Sequence, residues 1–267
     1  NYGLEAFNKK CRESVFTYKD QWDHLTERMG YWVDLENPYI TCDTNYVESV
    51  WWILNQLFKK DLIYKGYKIQ PYCPKCGTAL SSHEVSQGYK DVKDLTAIAR
   101  FPLENEEHTY VLAWTTTPWT LPSNMALAVG PDVDYVKIKH TDSKGAEEFL
   151  ILAKDLVSSV IENDYEIVEE FKGSSLEGKS YTPLFNFTET NENSHKILVA
   201  DFVTTTDGTG IVHMAPAYGE DDYQTCLKNN IPVDIIVKTD GTFSEKAGEF
   251  AGLNIKVADP EIVTNLK

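Results

Sequence analysis

The sequence lacks the features that would place it in a membrane or outside the cell. No apolar run approaches the roughly 20 residues that cross a bilayer, and no secretion signal is present at its start. Its cysteines number five, an odd count that argues against a disulfide framework and for a reducing compartment. We therefore expect a cytoplasmic protein that does not associate with membranes.

Basic residues are scarce as well. The chain has 25 Lys and Arg against 41 Asp and Glu, which gives a formal charge of -16 at pH 7. Because binding along a phosphate backbone requires clustered Lys and Arg, this balance opposes extensive electrostatic docking on nucleic acid. Any nucleic acid must therefore enter at a local site, and the acidic excess is typical of a solvated surface.

The sequence does contain enough apolar residues for a hydrophobic core. It has 267 residues, of which 42% are hydrophobic, and this suits one large domain or two modest ones. It begins at Asn1 instead of a methionine and stops at Lys267 within a helix-like segment, so we expect a piece of a longer protein.

Residues 1–90 are predicted to form a mainly helical segment. In DTNYVESVWWILNQLFKK, apolar side chains recur at steps of three and four residues, which predicts an amphipathic helix with one buried stripe. The stripe contains Val47, Val50, Trp51, Leu54, Leu57 and Phe58.

Residues 91–267 are predicted to be rich in β-structure. Short runs such as TYVLAWTTT, EFLILA and KILVADFV are separated by Gly, Pro, Asn and Asp. Helical interruptions are expected at residues 154–162 and 220–230. So many short strands indicate a barrel or sandwich, and we predict an α+β fold with a mainly antiparallel sheet.

Cys73 and Cys76 form a Cys-x2-Cys pair with a neighbouring proline and glycine. This spacing allows two thiolates to face one metal ion, but zinc prefers four ligands, so the pair supplies at most half of a zinc site. His83 is near in sequence, and a complete site would need further ligands beyond Lys267. The alternative interpretation is a tight turn that carries two reduced thiols.

The segment AWTTTPWTLPSN, residues 113–124, places three hydroxyl side chains where an apolar strand meets a proline. Pro118 has no N–H to continue a sheet ladder, so the strand is expected to end there. Because side chains alternate along a strand, Thr115 and Thr117 are predicted to share one face and Thr116 the other. Their hydroxyls suit a small polar ligand, although threonine is also a common strand and cap residue.

The segment DGTGIVHMAPAYGEDDY, residues 207–223, is a second dense group of polar residues. A glycine-rich turn precedes a strand with His213, and acids open a helix, where the helix dipole favours negative charge. Asp221 and Asp222 differ by about 100° around this helix, so one can cap it while the other faces a ligand. A carboxylate beside threonine hydroxyls suits a ligand with an ammonium group, such as an amino acid. His213, taken alone, suits either a structural position in the core or a functional site.

Together, WTTTPWTLPSN and GTGIVHMAPAYGEDDY resemble the editing domain, connective peptide 1 (CP1), of isoleucyl-tRNA synthetase, a class I aminoacyl-tRNA synthetase. Related leucyl and valyl enzymes typically carry Arg after a threonine pair and lack a histidine at the position of His213, so Thr117 and His213 favour the isoleucyl branch. The resemblance makes residues 1–90 a helical connective segment and 91–267 a β-barrel-like editing domain with peripheral helices. No HIGH or KMSKS signature is present, so ATP binding and amino acid activation belong to the parent enzyme.

The resemblance implies hydrolysis of valine wrongly esterified to the isoleucine tRNA, and of valyl adenylate. It assigns the grip on the substrate ammonium group to Asp222 and a size limit on the pocket to His213. It makes Thr115, Thr116 and Thr117 catalytic residues together with Asp222, since the threonines would line the pocket and hold the terminal adenosine, the carbonyl or the attacking water. Further substrate contacts are expected from Trp114, Asp221, Gly208, Thr209 and Gly210.

The partners implied are the CCA end of an aminoacylated tRNA, its valine and the rest of the synthetase, with this fragment itself monomeric. No cofactor is expected in the fragment, and zinc is considered only for the full-length parent. The alternative hypothesis is a module that binds the tRNA acceptor end or a protein partner without hydrolysis.

Overall fold

The structure is a computed structural model that describes residues 3–141 and 145–267. The chain divides into two compact units, unit 1 (Asn1–Tyr67) and unit 2 (Lys68–Lys267). The boundary expected from the sequence, after residue 90, lies further along the chain than this one. The Cys-x2-Cys region belongs to unit 2 because it packs there, with Pro74 against Gly241. No helix of the described residues is long and apolar enough to span a bilayer.

Unit 1 is helical. Its helices are α1 (Leu4–Phe16), α2 (Lys19–Arg28) and α3 (Thr44–Phe58). Arg12 connects α1 to the start of α3, since its guanidinium donates to the Cys42 carbonyl oxygen and to the Asp43 carboxylate, both at 3.0 Å. The predicted helix α3 is confirmed, but the predicted burial of its stripe is wrong: Trp51 is 68% exposed and Phe58 is 65% exposed. No residue of α1, α2 or α3 is buried, so these helices do not cover one another's apolar side chains.

Unit 2 begins with a small hairpin and a short helix. The hairpin pairs β1 (Tyr72–Cys73) with β2 (Thr78–Ala79), and α4 (Ser82–Gln87) follows. A capping box begins α4, since Ser81 Oγ accepts from the Glu84 N–H and the Glu84 carboxylate accepts from the Ser81 N–H. This arrangement places Cys73 and Cys76 in one turn.

The rest of unit 2 is built on an eight-stranded sheet that curls into a half-barrel. Its strands are β3 (Ala97–Pro102), β4 (Thr109–Thr115), β5 (Ala126–Val129), β6 (Asp134–Thr141), β7 (Glu147–Ala153), β8 (Tyr165–Lys172), β9 (Lys196–Val199) and β10 (Ile211–Met214). Their order is β8-β6-β7-β4-β10-β5-β9, with β3 paired to β4.

The sheet is mainly antiparallel, as expected, but it also contains three parallel pairs of strands. The β3–β4, β6–β7, β6–β8 and β5–β10 pairs are antiparallel. The β4–β7, β4–β10 and β5–β9 pairs are parallel. These parallel neighbours are distant along the chain, so local hairpin signals do not reveal them.

Helices flank the sheet. They are α5 (Val157–Val160), α6 (Glu220–Lys228) and α7 (Ile255–Asn265), and short 3-10 helices span Pro118–Ser123, Lys154–Leu156, Gly173–Leu176 and Glu245–Phe250. Helices α5 and α6 confirm the interruptions predicted at residues 154–162 and 220–230.

The main core of unit 2 is formed by inward-facing strand residues. Almost completely buried members are Phe101, Val111, Leu127, Tyr135 and Ile151. These residues come from β3, β4, β5, β6 and β7, so one core packs against strands from across the sheet.

Candidate functional site

The two polar motifs meet because β4 and β10 are parallel neighbours. Trp114 of β4 lies opposite Val212 of β10, so Thr115 and His213 come next at the same edge of the sheet. Pro118 then begins a 3-10 helix that turns the chain away from β4. The polar residues that follow both strands therefore converge.

Three hydroxyls form a threonine cluster, defined as Thr115, Thr117 and Thr120. Thr117 Oγ1 lies 3.3 Å from both Thr115 Oγ1 and Thr120 Oγ1, and the Thr117 N–H donates to Thr115 Oγ1 at 3.1 Å. The predicted shared face of Thr115 and Thr117 agrees with this geometry. Thr116 is exposed and lies outside the cluster.

His213 is buried beside the threonine cluster, with only 7% of its surface exposed. Its Nε2 lies 3.0 Å from Thr120 Oγ1 and its Nδ1 lies 2.8 Å from Asn124 Nδ2. Burial lowers the pKa of His213 to about 4, so the ring is neutral at physiological pH. Thr120 and Asn124 were not predicted from the sequence, although both lie within residues 113–124.

Asp222 lies in the first turn of α6, just beyond the end of β10. Its Oδ2 accepts the Ala215 N–H at 2.8 Å, and the carboxyl group folds back against Gly219. Burial raises the pKa of Asp222 to about 6, the Ala215 N–H opposes this rise, and the charge of Asp221 adds to it. Asp221 is exposed, so these two acids occupy different environments as their helical positions predict.

The glycine turn before β10 is shaped by packing within the protein. Gly208 and Gly210 have φ of 75° and 71°. A Cβ at Gly208 would lie 2.8 Å from the Trp114 ring, and one at Gly210 would lie 2.4 Å from Ala153 Cβ. Thr209 is buried and its hydroxyl donates to the Ile211 carbonyl oxygen at 3.3 Å. Close contacts inside unit 2 therefore account for these glycines without a ligand.

Cys73 and Cys76 lie in the β1–β2 hairpin. Hydrogen bonds from Cys76 lower the pKa of the Cys73 thiol, and the same interaction raises that of Cys76. Among residues 3–141 and 145–267 no group of three or more His, Cys, Asp or Glu side chains is placed to hold a metal ion. The structure therefore shows two cysteines in one turn, and zinc in a longer protein stays a prediction.

Comparison with known proteins identifies the family. The family model described as tRNA synthetases class I (I, L, M and V) matches residues 1–237, and the chain belongs to this family. Isoleucine–tRNA ligases of Clostridium tetani and Clostridium kluyveri are each 52% identical to it, covering 98% and 100% of the chain. The isoleucine–tRNA ligase of Bacillus thuringiensis is 47% identical over 99% of the chain. The chain spans only 25% of the length of each of these relatives.

A solved structure supports the fold. The crystal structure of GlLeuRS-CP1, a leucyl-tRNA synthetase CP1 region, matches with a TM-score of 0.52 at 15% identity, covering 64% of this chain and 94% of that one. The resemblance to isoleucyl-tRNA synthetase and the α+β, barrel-like architecture are therefore both confirmed.

Proposed function

We propose that this chain is the editing domain of an isoleucine–tRNA ligase and hydrolyses valine esterified to the isoleucine tRNA, together with valyl adenylate. The observation that carries the proposal is the convergence of the threonine cluster and His213 at the ends of β4 and β10, with Asp222 just beyond β10. The 52% identity to isoleucine–tRNA ligases supports the choice of amino acid.

The need for such a site follows from the limits of size selection. A pocket that admits isoleucine rejects the smaller valine by only roughly 1–3 kcal/mol, and these two amino acids are the standard illustration of that limit. A second and smaller pocket removes the error if isoleucine cannot enter it. His213 suits the wall of this pocket, since it is buried, neutral and held at both ring nitrogens.

Asp222 is the group we assign to the substrate ammonium. With a pKa of about 6 it is mainly a carboxylate at neutral pH, although it is largely removed from water. A charge-assisted hydrogen bond in such a place contributes on the order of 1.5–3 kcal/mol. The ammonium group would restore the solvation that Asp222 loses on folding.

On valyl-tRNA the chemical step is attack of water on the ester. The water oxygen bonds to the carbonyl carbon, the bond to the ribose oxygen breaks, and that oxygen takes up a proton. His213 is a poor general base because its pKa is about 4 and both nitrogens are already hydrogen-bonded. We therefore assign proton transfer to the neighbouring ribose hydroxyl of the substrate, with the hydroxyls of Thr115 and Thr117 orienting the water or the developing oxyanion.

The acidic chain fits a substrate that enters by its CCA end alone. Few phosphates then need basic partners, and the rest of the synthetase would hold the body of the tRNA. The reaction uses no cofactor from this chain and takes place in the cytoplasm. Trp114, Asp221, Thr116 and Gly208 remain proposed substrate contacts of the rim, whereas Thr209 and Gly210 are buried within unit 2 and do not lie at the rim.

The test is deacylation of valyl-tRNA by the chain, alone and within a full-length isoleucine–tRNA ligase. Asp222→Asn is expected to lower kcat/KM by about 10- to 150-fold, the loss of one charge-assisted hydrogen bond. Glu220→Gln is the matched control, because it removes one exposed negative charge from the same helical turn. Editing that survives Asp222→Asn unchanged would show that the role of Asp222 is wrong.

The alternative is a module that binds without hydrolysis. Binding of a non-hydrolysable valyl-adenosine analogue that depends on Asp222, combined with no release of valine from valyl-tRNA, would favour it. Turnover of valyl-tRNA that exceeds turnover of isoleucyl-tRNA excludes it.

A further inference from the structure

His213 is connected through Asn124 to a completely buried tyrosine. Asn124 Nδ2 lies 2.8 Å from His213 Nδ1 and 2.9 Å from the Ala126 carbonyl oxygen. The Tyr181 hydroxyl lies 2.6 Å from Asn124 Oδ1. Tyr181 stands outside both sequence motifs, between β8 and β9, and the editing reaction described above does not use it.

The donors and acceptors of this connection have a single assignment. The Ala126 carbonyl oxygen only accepts, so the Asn124 amide must turn its NH2 group toward it. The same NH2 group faces His213 Nδ1, which therefore accepts. Burial raises the pKa of Tyr181 well above its ordinary value, so its hydroxyl keeps the proton and donates to Asn124 Oδ1.

The assignment fixes the tautomer of His213. Because Nδ1 accepts, the proton of the neutral ring is on Nε2, which donates to Thr120 Oγ1 at 3.0 Å. Thr120 in turn donates to the Thr117 carbonyl oxygen at 2.8 Å. A continuous path of hydrogen bonds thus runs in one direction from Tyr181 to the threonine cluster.

We propose that Tyr181 is a positioning residue for the size filter, whose hydroxyl acts through Asn124 to hold the His213 ring in one tautomer and one orientation. The role in selectivity rests on the proposed editing function. The Tyr181 ring is itself fixed by edge-to-face contacts with Phe101 and His195, at centroid distances of 5.3 and 5.8 Å.

Loss of the hydroxyl has a defined consequence. Tyr181→Phe keeps the ring contacts but leaves Asn124 Oδ1 buried without a donor, which is costly. The amide then rotates toward another donor, and its NH2 group gives up its contact with His213. The Nδ1 atom of His213 is no longer held as an acceptor, and the ring samples both tautomers and a wider range of orientations.

The experiment reads the ring nitrogens of His213 by 15N NMR, with signals assigned by their loss in His213→Gln. The unsubstituted chain is expected to show only the Nε2–H tautomer at neutral pH, and Tyr181→Phe a mixture of both. In a full-length ligase, Tyr181→Phe is expected to lower the preference for valyl-tRNA over isoleucyl-tRNA several-fold. Tyr135→Phe is the matched control, because it removes an equally buried hydroxyl that donates to the Gly210 carbonyl oxygen at 2.6 Å.

A Tyr181→Phe chain that loses stability as Tyr135→Phe does, but keeps a single His213 tautomer, would overturn the proposal and leave Tyr181 with a structural role only. The NMR result does not depend on turnover. A chain that fails to hydrolyse valyl-tRNA therefore contradicts the proposed function alone, while the tautomer still decides the role of Tyr181.

Discussion

Apolar periodicity is present in both units, but only unit 2 buries the side chains that carry it. In unit 1 the stripe of α3 remains exposed, with Trp51 68% accessible to solvent. In unit 2 the inward-facing residues of β4 and β5 are almost completely buried between neighbouring strands. A periodic pattern thus identifies side chains that share a face, and whether that face is covered depends on contacts from elsewhere.

The same difference governs the ionisable groups. In unit 1, hydrogen bonds from Asn37 lower the pKa of the exposed Asp34. In unit 2, burial raises the pKa of Asp222 and lowers that of His213. Burial favours the neutral form of both groups, and such shifts mark candidate site residues where the sheet excludes solvent.

The largest expected difference in stability is between two variants that each truncate one apolar side chain, Leu127 in unit 2 and Leu54 in unit 1. Leu127→Ala removes a completely buried side chain of β5 and is expected to lower the free energy of unfolding by about 2–5 kcal/mol. Leu54→Ala on α3 removes a side chain that is already 40% exposed, and a loss below ~1 kcal/mol is expected. Urea unfolding followed by circular dichroism measures both.

The two variants also test whether the difference in burial between unit 1 and unit 2 exists in solution. Equal losses for Leu54→Ala and Leu127→Ala would mean that α3 is covered in solution, for example by self-association of the chain. Repeating the unfolding at several protein concentrations separates that case, because only association makes stability depend on concentration.

Local patterns predicted the local parts of the fold. The helix α3, the end of β4 before Pro118 and the acidic start of α6 each depend on residues close in sequence, and all three are present. The parallel pairing of β4 with β10 depends on segments almost a hundred residues apart, and local patterns do not report it. The mainly antiparallel sheet was therefore predicted, but its three parallel pairs of strands were not.

The same limit applies to the site. Thr115, Thr117 and His213 were predicted because their motifs resemble a known family. Tyr181 was not, since its importance arises only from a hydrogen bond to a residue 57 positions away. No composition or spacing marks a buried tyrosine whose hydroxyl has a long-range partner, and only coordinates supply that information.

The second prediction concerns the pH dependence of stability, which should have opposite signs for Asp222 in unit 2 and Asp34 in unit 1. The pKa of Asp222 is raised from 3.8 to about 6 by burial, so its ionised form is disfavoured in the folded state. Below about pH 3.8 the group is protonated in both states and costs nothing. Between pH 3.8 and about 6 the group ionises in the unfolded chain but not in the folded one, so a cost develops that reaches at most ~3 kcal/mol above pH 6. Asp222→Asn should therefore stabilise the chain above pH 6 and not near pH 4, as urea unfolding across this range would measure.

Asp34 in unit 1 supplies the control with the opposite sign. Its pKa is lowered in the folded state, so its contribution to stability is present above the unfolded pKa of 3.8 and is lost as pH falls. Asp34→Asn should weaken the chain at neutral pH. A gain in stability from Asp222→Asn that persists unchanged at pH 4 would show that ionisation is not its cause.

The smallest expected effect comes from ion pairs. In unit 2, Glu148 is buried and accepts both from Arg100, at 2.7 and 2.9 Å, and from His140, at 3.1 Å. Glu148→Gln is expected to cost about 1–2 kcal/mol, because His140 loses a buried anionic acceptor while the half-exposed Arg100 is hydrated again by water.

In unit 1 both partners of the Arg12–Asp43 pair are exposed, so Asp43→Asn should change stability by less than ~1 kcal/mol. Raising the salt concentration should reduce the effect of Asp43→Asn and leave that of Glu148→Gln nearly unchanged, since only exposed charges are well screened. Equal salt sensitivity of the two variants would contradict the difference in burial on which the contrast between the units depends.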